Sequence, residues 1–214
     1  MDFEDWEPYY ERILKDFDFS REEDERAAEI LDQTLAGRRI DPKEIAAELA
    51  GKAVCVAGNA SSLAAELGRL TKVVVAADEA TSVLLAHGRL PQVIVTDLDG
   101  EVMDQVAANR RGAIAVVHAH GDNIPAIEKW ARDFEGRTLA TTQARPSARV
   151  FNFGGFTDGD RAAFLADAMG ARSIRLVGFD FEHPNPKDEP IGVKKRKLDW
   201  AFVLLQTLNS VRQD

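Results

Sequence analysis

Two carboxylates one residue apart are the sharpest chemical feature of the chain: Thr96-Asp97-Leu98-Asp99-Gly100 follows the apolar run 93–95. Where a strand opens into a loop, both acids can turn toward one hard cation. Mg²⁺ takes oxygen ligands and keeps waters while binding phosphates, and a cation relieves the repulsion between neighbouring acids. Gly100 suits a tight turn. The plain alternative is an Asp- and Gly-rich turn with no ligand.

Two more polar clusters also follow apolar runs. In His118-Ala119-His120-Gly121-Asp122-Asn123, Asp122 can extend the Mg²⁺ site and Asn123 can cap the next helix. His118 and His120 are expected against metal, phosphate or substrate. Zinc would need a third firm protein ligand, which the sequence does not supply. In the run from Asn152 to Arg161, Gly154 and Gly155 can offer backbone N–H groups to an anion. Thr157 can cap a helix that starts at Asp158, and both are candidates for binding ATP. Asp160 either completes a capping box or meets substrate, and Arg161 suits a phosphate or a carboxylate.

Weaker candidates complete the set. Gly58 and Asn59 can hold a phosphate at the end of the first strand, and Asp78 can accept from a ribose hydroxyl or from the substrate. Thr142, Gln143, Asn152 and Asp180 offer hydrogen bonds to a flat heterocycle. Lys194 and Lys195, in the run Lys194-Lys195-Arg196-Lys197, either start a solvated helix or meet the phosphates of ATP. Neither a GxGxxG dinucleotide fingerprint nor a GxxxxGK[ST] phosphate loop occurs.

These groups need strands to carry them. From residue 51 the chain repeats strand, loop and helix, with short apolar strands at 53–57, 72–76, 93–95, 113–117 and 174–177. Segments 137–140 and 150–153 are weaker strand candidates, and a helix is expected over 198–211. Apolar runs without alternation suit strands buried on both faces. The expected fold is therefore α/β, a mostly parallel Rossmann-like sheet with helices on both faces, and ligands belong at the carboxyl ends of its strands. Residues 1–50 read differently, as an N-terminal helical segment before an α/β catalytic domain over 51–214. Ser20 and Pro42 mark helix starts in it. This segment serves packing, closes the substrate site or forms the surface of a homodimer.

The net charge of −9 argues against broad nucleic-acid binding. Cys55 is the only cysteine and is expected in a buried strand. The acidic opening with no apolar run behind it reads as neither a signal nor a transit peptide. No run is long enough to span a membrane, so a cytoplasmic, membrane-free protein is expected.

The motifs TDLDG at 96–100, HAHGDN at 118–123 and GGFTDGDRA at 154–162, in that order, resemble the archaeal 6-hydroxymethyl-7,8-dihydropterin pyrophosphokinase family over most of residues 50–200. The resemblance implies Mg²⁺-dependent diphosphate transfer from ATP to the pterin, giving AMP and the pterin diphosphate, in tetrahydromethanopterin or folate synthesis. The family's catalytic domain is similar to thiamin pyrophosphokinase, whose DxD pair binds Mg²⁺. The resemblance carries that pair to Asp97 and Asp99, with Asp122 as the next residue on the metal or phosphate side; in the transfer itself, Asp122 or His120 is expected to take the hydroxyl proton. His118 and His120 stand where the thiamin enzyme tends to have acids, which makes thiamin a poorer acceptor. The rival readings are thiamin pyrophosphokinase, a haloacid-dehalogenase-like phosphatase, a DxD glycosyltransferase and a non-enzymatic nucleotide-binding regulator.

Overall fold

The structure is a computed structural model that describes residues 1–185 and 190–212. The order begins α1 (Phe3–Phe17), α2 (Arg21–Thr34), α3 (Pro42–Leu49), β1 (Ala53–Ala57), α4 (Leu63–Glu66), β2 (Val73–Ala77), α5 (Ala80–Ala86) and β3 (Val93–Thr96). It continues α6 (Val102–Arg110), β4 (Ile114–Ala119), α7 (Ile124–Trp130), β5 (Thr138–Thr142), α8 (Asp158–Ala168), β6 (Ser173–Val177), α9 (Ile191–Leu205) and β7 (Val211–Arg212).

The strands lie in the order β5-β4-β3-β2-β1-β6-β7, and every pairing is parallel. The expected α/β architecture is therefore the observed one. Strand alternation sorts the core into two faces. Val54 and Val56 face α1, α3, α8 and α9. Cys55 and Ala57 face α4 and α5, while Ala115, Val117 and Ala119 face α2, α6 and α7. The chain steps outward from β1 to β5, then returns to the far side of β1 as β6. That reversal makes β1 and β6 the switch point, where the strand exits diverge and leave a crevice.

The first fifty residues straddle the β5 edge. Trp6, Tyr10 and Ile13 of α1 enter the core on one face, and Ala27 and Leu31 of α2 enter the core on the other. Between α2 and α3, Ile40 N–H donates to Thr138 O at 2.9 Å, which covers an otherwise open sheet edge. Ser20 accepts from Glu23 N–H to start α2, and Asp41 accepts from Lys43 N–H to start α3, with Pro42 in its first turn.

Four local expectations need correction. β4 runs on through His118 and Ala119, because the histidine ring finds a neighbour in Thr141 of β5. Over 150–153 only Phe151 bridges to the sheet, opposite Thr141. The last helix starts at Ile191 and stops at Leu205, and Val211 belongs to edge strand β7. α6 was not anticipated: two of the residues on its buried side are Gln105 and Asn109, so it shows no apolar stripe.

Candidate active site

A cleft of about 420 Å³ lies across the carboxyl ends of the strands, within the range of small-molecule sites. Gly58 and Asn59 reach it from β1, Asp78 and Glu79 from β2, and Asp97 and Asp99 from β3. His120 and Asp122 come from β4, Gln143 from β5, and Gly178, Phe179 and Asp180 from β6. Thr157, Asp158, Gly159 and Arg161 at the start of α8, Lys194 and Lys197 of α9, and Phe19 and Phe156 close the sides.

The β3 turn shows how local chemistry aims the acids. Thr96 Oγ1 accepts from Leu98 N–H at 2.8 Å and lies 2.7 Å from both Asp78 Oδ1 and Gln105 Oε1. Leu98 adopts a left-handed φ of 69° and buries its side chain beneath α2 and α6. That turn sends the two acids apart. Asp97 points inward, whereas Asp99 is exposed and accepts from Gly100 N–H through Oδ1. Gly100 (φ 64°) sits against Glu79, whose Cγ would lie 2.0 Å from any added Cβ.

Carboxylate oxygens of Asp78, Asp97 and Asp158 lie within 4.8 Å of one another. Asp97 Oδ1 is buried without a hydrogen-bond partner. Gln105 Nε2 donates to Asp78 Oδ1 at 2.9 Å. Asn123 Nδ2 donates to the Asp97 carbonyl at 2.7 Å, and His120 Nε2 sits 3.3 Å from Asp97 Oδ2. Arg161 Nη1 donates to Asp158 Oδ1 at 3.2 Å, and its Nη2 donates to Gln143 Oε1 at 3.1 Å.

The charges explain why such a cluster calls for a cation. Burial, then the charge of Asp97, pushes Asp158 up to about 7. Burial, Asp158 and Asp97 likewise raise Asp78 well above the usual carboxylate range. Burial also acts upward on Asp97, but the His120 hydrogen bond and charge, helped by Arg161 and Lys197, hold it down at about 2. One acid is thus kept ionised while two neighbours resist ionisation. Three converging carboxylates, one of which also carries an orphaned buried oxygen, fit a hard divalent ion.

A family model described as 6-hydroxymethylpterin diphosphokinase MptE-like matches residues 30–186, a span that includes all three carboxylates. Curated relatives align along nearly the whole chain. The 6-hydroxymethyl-7,8-dihydropterin pyrophosphokinase of Pyrococcus furiosus is 46% identical over 228 residues, covering 98% of this chain and 95% of the relative. The enzyme of the same name from Methanothermobacter thermautotrophicus is 40% identical, covering 97% and 95%. That from Methanocaldococcus jannaschii is 34% identical, covering 97% and 96%. The chain belongs to this family. Among solved structures, the MAf glycosyltransferase from Magnetospirillum magneticum AMB-1 superposes with a TM-score of 0.55 at 16% identity, over 89% of this chain and 35% of that one. That likeness is one of fold alone.

Within this family member, the cleft gathers Gly58, Asn59, Asp78, Asp97, Asp99, His120, Asp122, Gln143, Thr157, Asp158, Asp180 and Lys194 from the residues singled out in the sequence. The carboxylates group differently from the expected set of Asp97, Asp99 and Asp122. Asp97 is joined by Asp78 and Asp158, and Asp99 and Asp122 stand on the wall outside that trio.

Several expected ligands are occupied elsewhere. His118 lies in β4, buried, with Nδ1 3.1 Å from Thr141 Oγ1. Burial, then Arg161 and His120, push it well below the usual histidine range, so it is neutral. His118 faces a separate small cavity with Thr142 and Gly154. Thr142 Oγ1 accepts from Ala144 N–H. Asn123 spends its amide on the Asp97 and His118 carbonyls. Asn152 ties Gln143 O and Ala144 O to Gly154 N–H. Gly155 lets the Arg161 backbone approach, which would lie 2.7 Å from an added Cβ. Asp160 is the capping residue, accepting from the N–H groups of Phe156 and Thr157 at 2.7 Å each. Lys195 pairs with Asp199 on the outer face of α9, while Lys194 and Lys197, three residues apart, share the face toward the cleft.

Glu79, Gln105, Phe19, Phe156 and Phe179 were not identified from the sequence. Two of them had a signal: Phe156 lies within the GGFTDGDRA motif, and Phe179 precedes Asp180 after a strand. Its ring packs against Gly58 and Gly159, where an added Cβ would lie 2.8 Å away at either glycine.

Proposed function

We propose that this chain transfers the diphosphoryl group of ATP to 6-hydroxymethyl-7,8-dihydropterin, with Mg²⁺ held by Asp78, Asp97 and Asp158. The observation that carries the reading is the half-buried carboxylate trio with its orphaned Asp97 oxygen, set in the cleft at the mouth of the sheet. Membership of the pterin diphosphokinase family supports the acceptor.

The pterin hydroxymethyl oxygen forms a bond to the β-phosphorus, and the bond from that phosphorus to the α–β bridging oxygen breaks. AMP leaves with the bridging oxygen, and the hydroxyl proton is released. The bound cation supplies charge neutralisation and alignment for the phosphate oxygens. Arg161, Lys194 and Lys197 line the same cleft and share the developing negative charge. The start of α8 lines the cleft at Thr157, Asp158 and Gly159, and the positive end of the helix favours an anion there. Such transfers pass through a loose transition state that asks little of a base. His120 is engaged with Asp97, so Asp122, exposed on the wall, is the better acceptor for the proton. Phe19 with Phe156, and Phe179 across the cleft, supply flat apolar faces for two heterocycles.

The test is an assay of the purified protein with ATP, Mg²⁺ and 6-hydroxymethyl-7,8-dihydropterin, with thiamin as competing acceptor. AMP and pterin diphosphate are expected in equal amounts, and Asp97→Ala should remove most of both while remaining folded. Release of ADP, transfer to thiamin alone, or undiminished turnover in Asp97→Ala with saturating Mg²⁺ would contradict the reading.

A further inference from the structure

Asp24 of α2 is 2% exposed and stands outside the residues that line the cleft. It accepts three hydrogen bonds, all from neutral donors: Tyr10 Oη at 2.7 Å and Gln143 Nε2 at 2.8 Å on Oδ2, and Gly121 N–H at 2.7 Å on Oδ1. Burying a carboxyl group is costly even when it is hydrogen-bonded, and a neutral pair would pack a helix at lower cost. Stability alone therefore gives no reason for an acid here.

Its partners lead to both sides of the carboxylate trio. Gly121 lies between His120 and Asp122, and a Cβ there would come within 2.8 Å of Glu23 Cβ, so α2 is seated directly on that loop. Gln143 passes the contact to Arg161, and Arg161 to Asp158. Trp6 Nε1 holds Gln143 from the other side by donating to its carbonyl at 2.8 Å. Burial, then Asp24, drives the Tyr10 phenol upward, so it remains a donor at any working pH.

We propose that Asp24 is a positioning residue through which the N-terminal helices hold the His120–Asp122 loop and the Gln143–Arg161–Asp158 chain in register for phosphate binding. The inference rests on the site proposed above. It gives the first fifty residues a part in the chemistry as well as in packing.

Asp24→Asn preserves size but puts a donor where one of the two oxygens accepts. The readouts are the calorimetric Kd for ATP in the presence of Mg²⁺ and, separately, kcat. Ile13→Ala, a packing loss in α1 with no polar link to the site, serves as the destabilised control. Asp24→Asn is expected to weaken nucleotide binding by about tenfold or more and to lower kcat at a temperature well below its Tm. Ile13→Ala should keep both while losing as much Tm. Gly121→Ala presses on the same contact without changing charge and should shift Kd in the same direction, which covers the case of Asp24→Asn failing to fold. Wild-type Kd in both Asp24→Asn and Gly121→Ala, or a loss in Ile13→Ala equal to that in Asp24→Asn, would overturn the proposal. Absence of diphosphate transfer by the wild-type protein would instead count against the assigned reaction, and the Kd comparison would still decide the role of Asp24.

Discussion

Gln105 Nε2 reaches from α6 to Asp78 Oδ1 at 2.9 Å and to the Asp99 carbonyl at 3.0 Å. One fully buried amide thus fixes a proposed metal ligand and the turn that carries another. Gln105→Leu removes the side-chain donor to the Asp99 carbonyl and leaves Asp78 Oδ1 with Thr96 alone. Orphaning such groups costs about 1–3 kcal/mol, and an Asp78 side chain free to rotate should raise the Mg²⁺ concentration for half-maximal activity by about tenfold. A Mg²⁺ titration of Gln105→Leu that overlays the wild type would remove Gln105 from the site.

The parallel sheet and the strand-end location of the cleft were legible because short apolar runs without alternation leave few other folds, and because each polar cluster followed such a run. The partition of acids was not legible. Asp97-Leu98-Asp99 reads as a pair, and only the left-handed φ of Leu98, with its side chain in the core, turns the two apart. Asp78 and Asp158 join Asp97 through chain reversals of 19 and 61 residues, which no local spacing encodes. Asp160 was readable either way, since a capping box and a binding carboxylate share the same residues. α6 escaped notice because Gln105 and Asn109 occupy positions where an apolar stripe would have revealed a helix.

Proton and metal should compete at Asp158. Its folded value of about 7 lies above the usual 3.8, so the folded chain holds this proton more tightly than the unfolded chain. The stabilising contribution is complete below about 4 and is lost as pH rises toward 7. A cation displaces the proton, so the Tm gain from Mg²⁺ should grow between pH 5.5 and 8. Taking the difference with and without Mg²⁺ cancels the contribution of groups such as His118. Asp158→Asn should flatten the difference and abolish turnover. A Mg²⁺-induced Tm gain in the wild type that stays constant across this range would refute the competition.

Gly58 is confined by its neighbours. An added Cβ would lie 2.7 Å from Gly178 O and 2.8 Å from the Phe179 ring, while Gly58 N–H donates to Val177 O at 2.9 Å. The backbone oxygen cannot yield as a side chain could, so Gly58→Ala must push the β1 and β6 exits apart. Overpacking of this kind costs about 1–3 kcal/mol, or several degrees of Tm for a chain of this size. With Phe179 displaced, KM for at least one heterocycle should rise severalfold. Wild-type KM for both substrates in a folded Gly58→Ala protein would show that the switch-point loops need no such fit.

The basic run of α9 divides by helical face, and the division can be tested directly. Lys197 lines the cleft, where burial first and Arg161 second pull it below the usual lysine range. Being desolvated, it should act strongly on a phosphate. Lys195 is paired with Asp199 at the surface, and an exposed i,i+4 pair contributes only about 0.3–0.5 kcal/mol. Lys197→Met is expected to raise KM for ATP by about tenfold or more, with the pterin KM less affected. Lys195→Met should stay within about twofold of the wild type in both. The same substitutions measured at rising salt add a second discriminator: a contact inside the cleft is screened little, and one at the surface is screened strongly. Equal effects of the two substitutions on KM for ATP would mean that the helix works as a general basic surface rather than through one inward-facing ammonium.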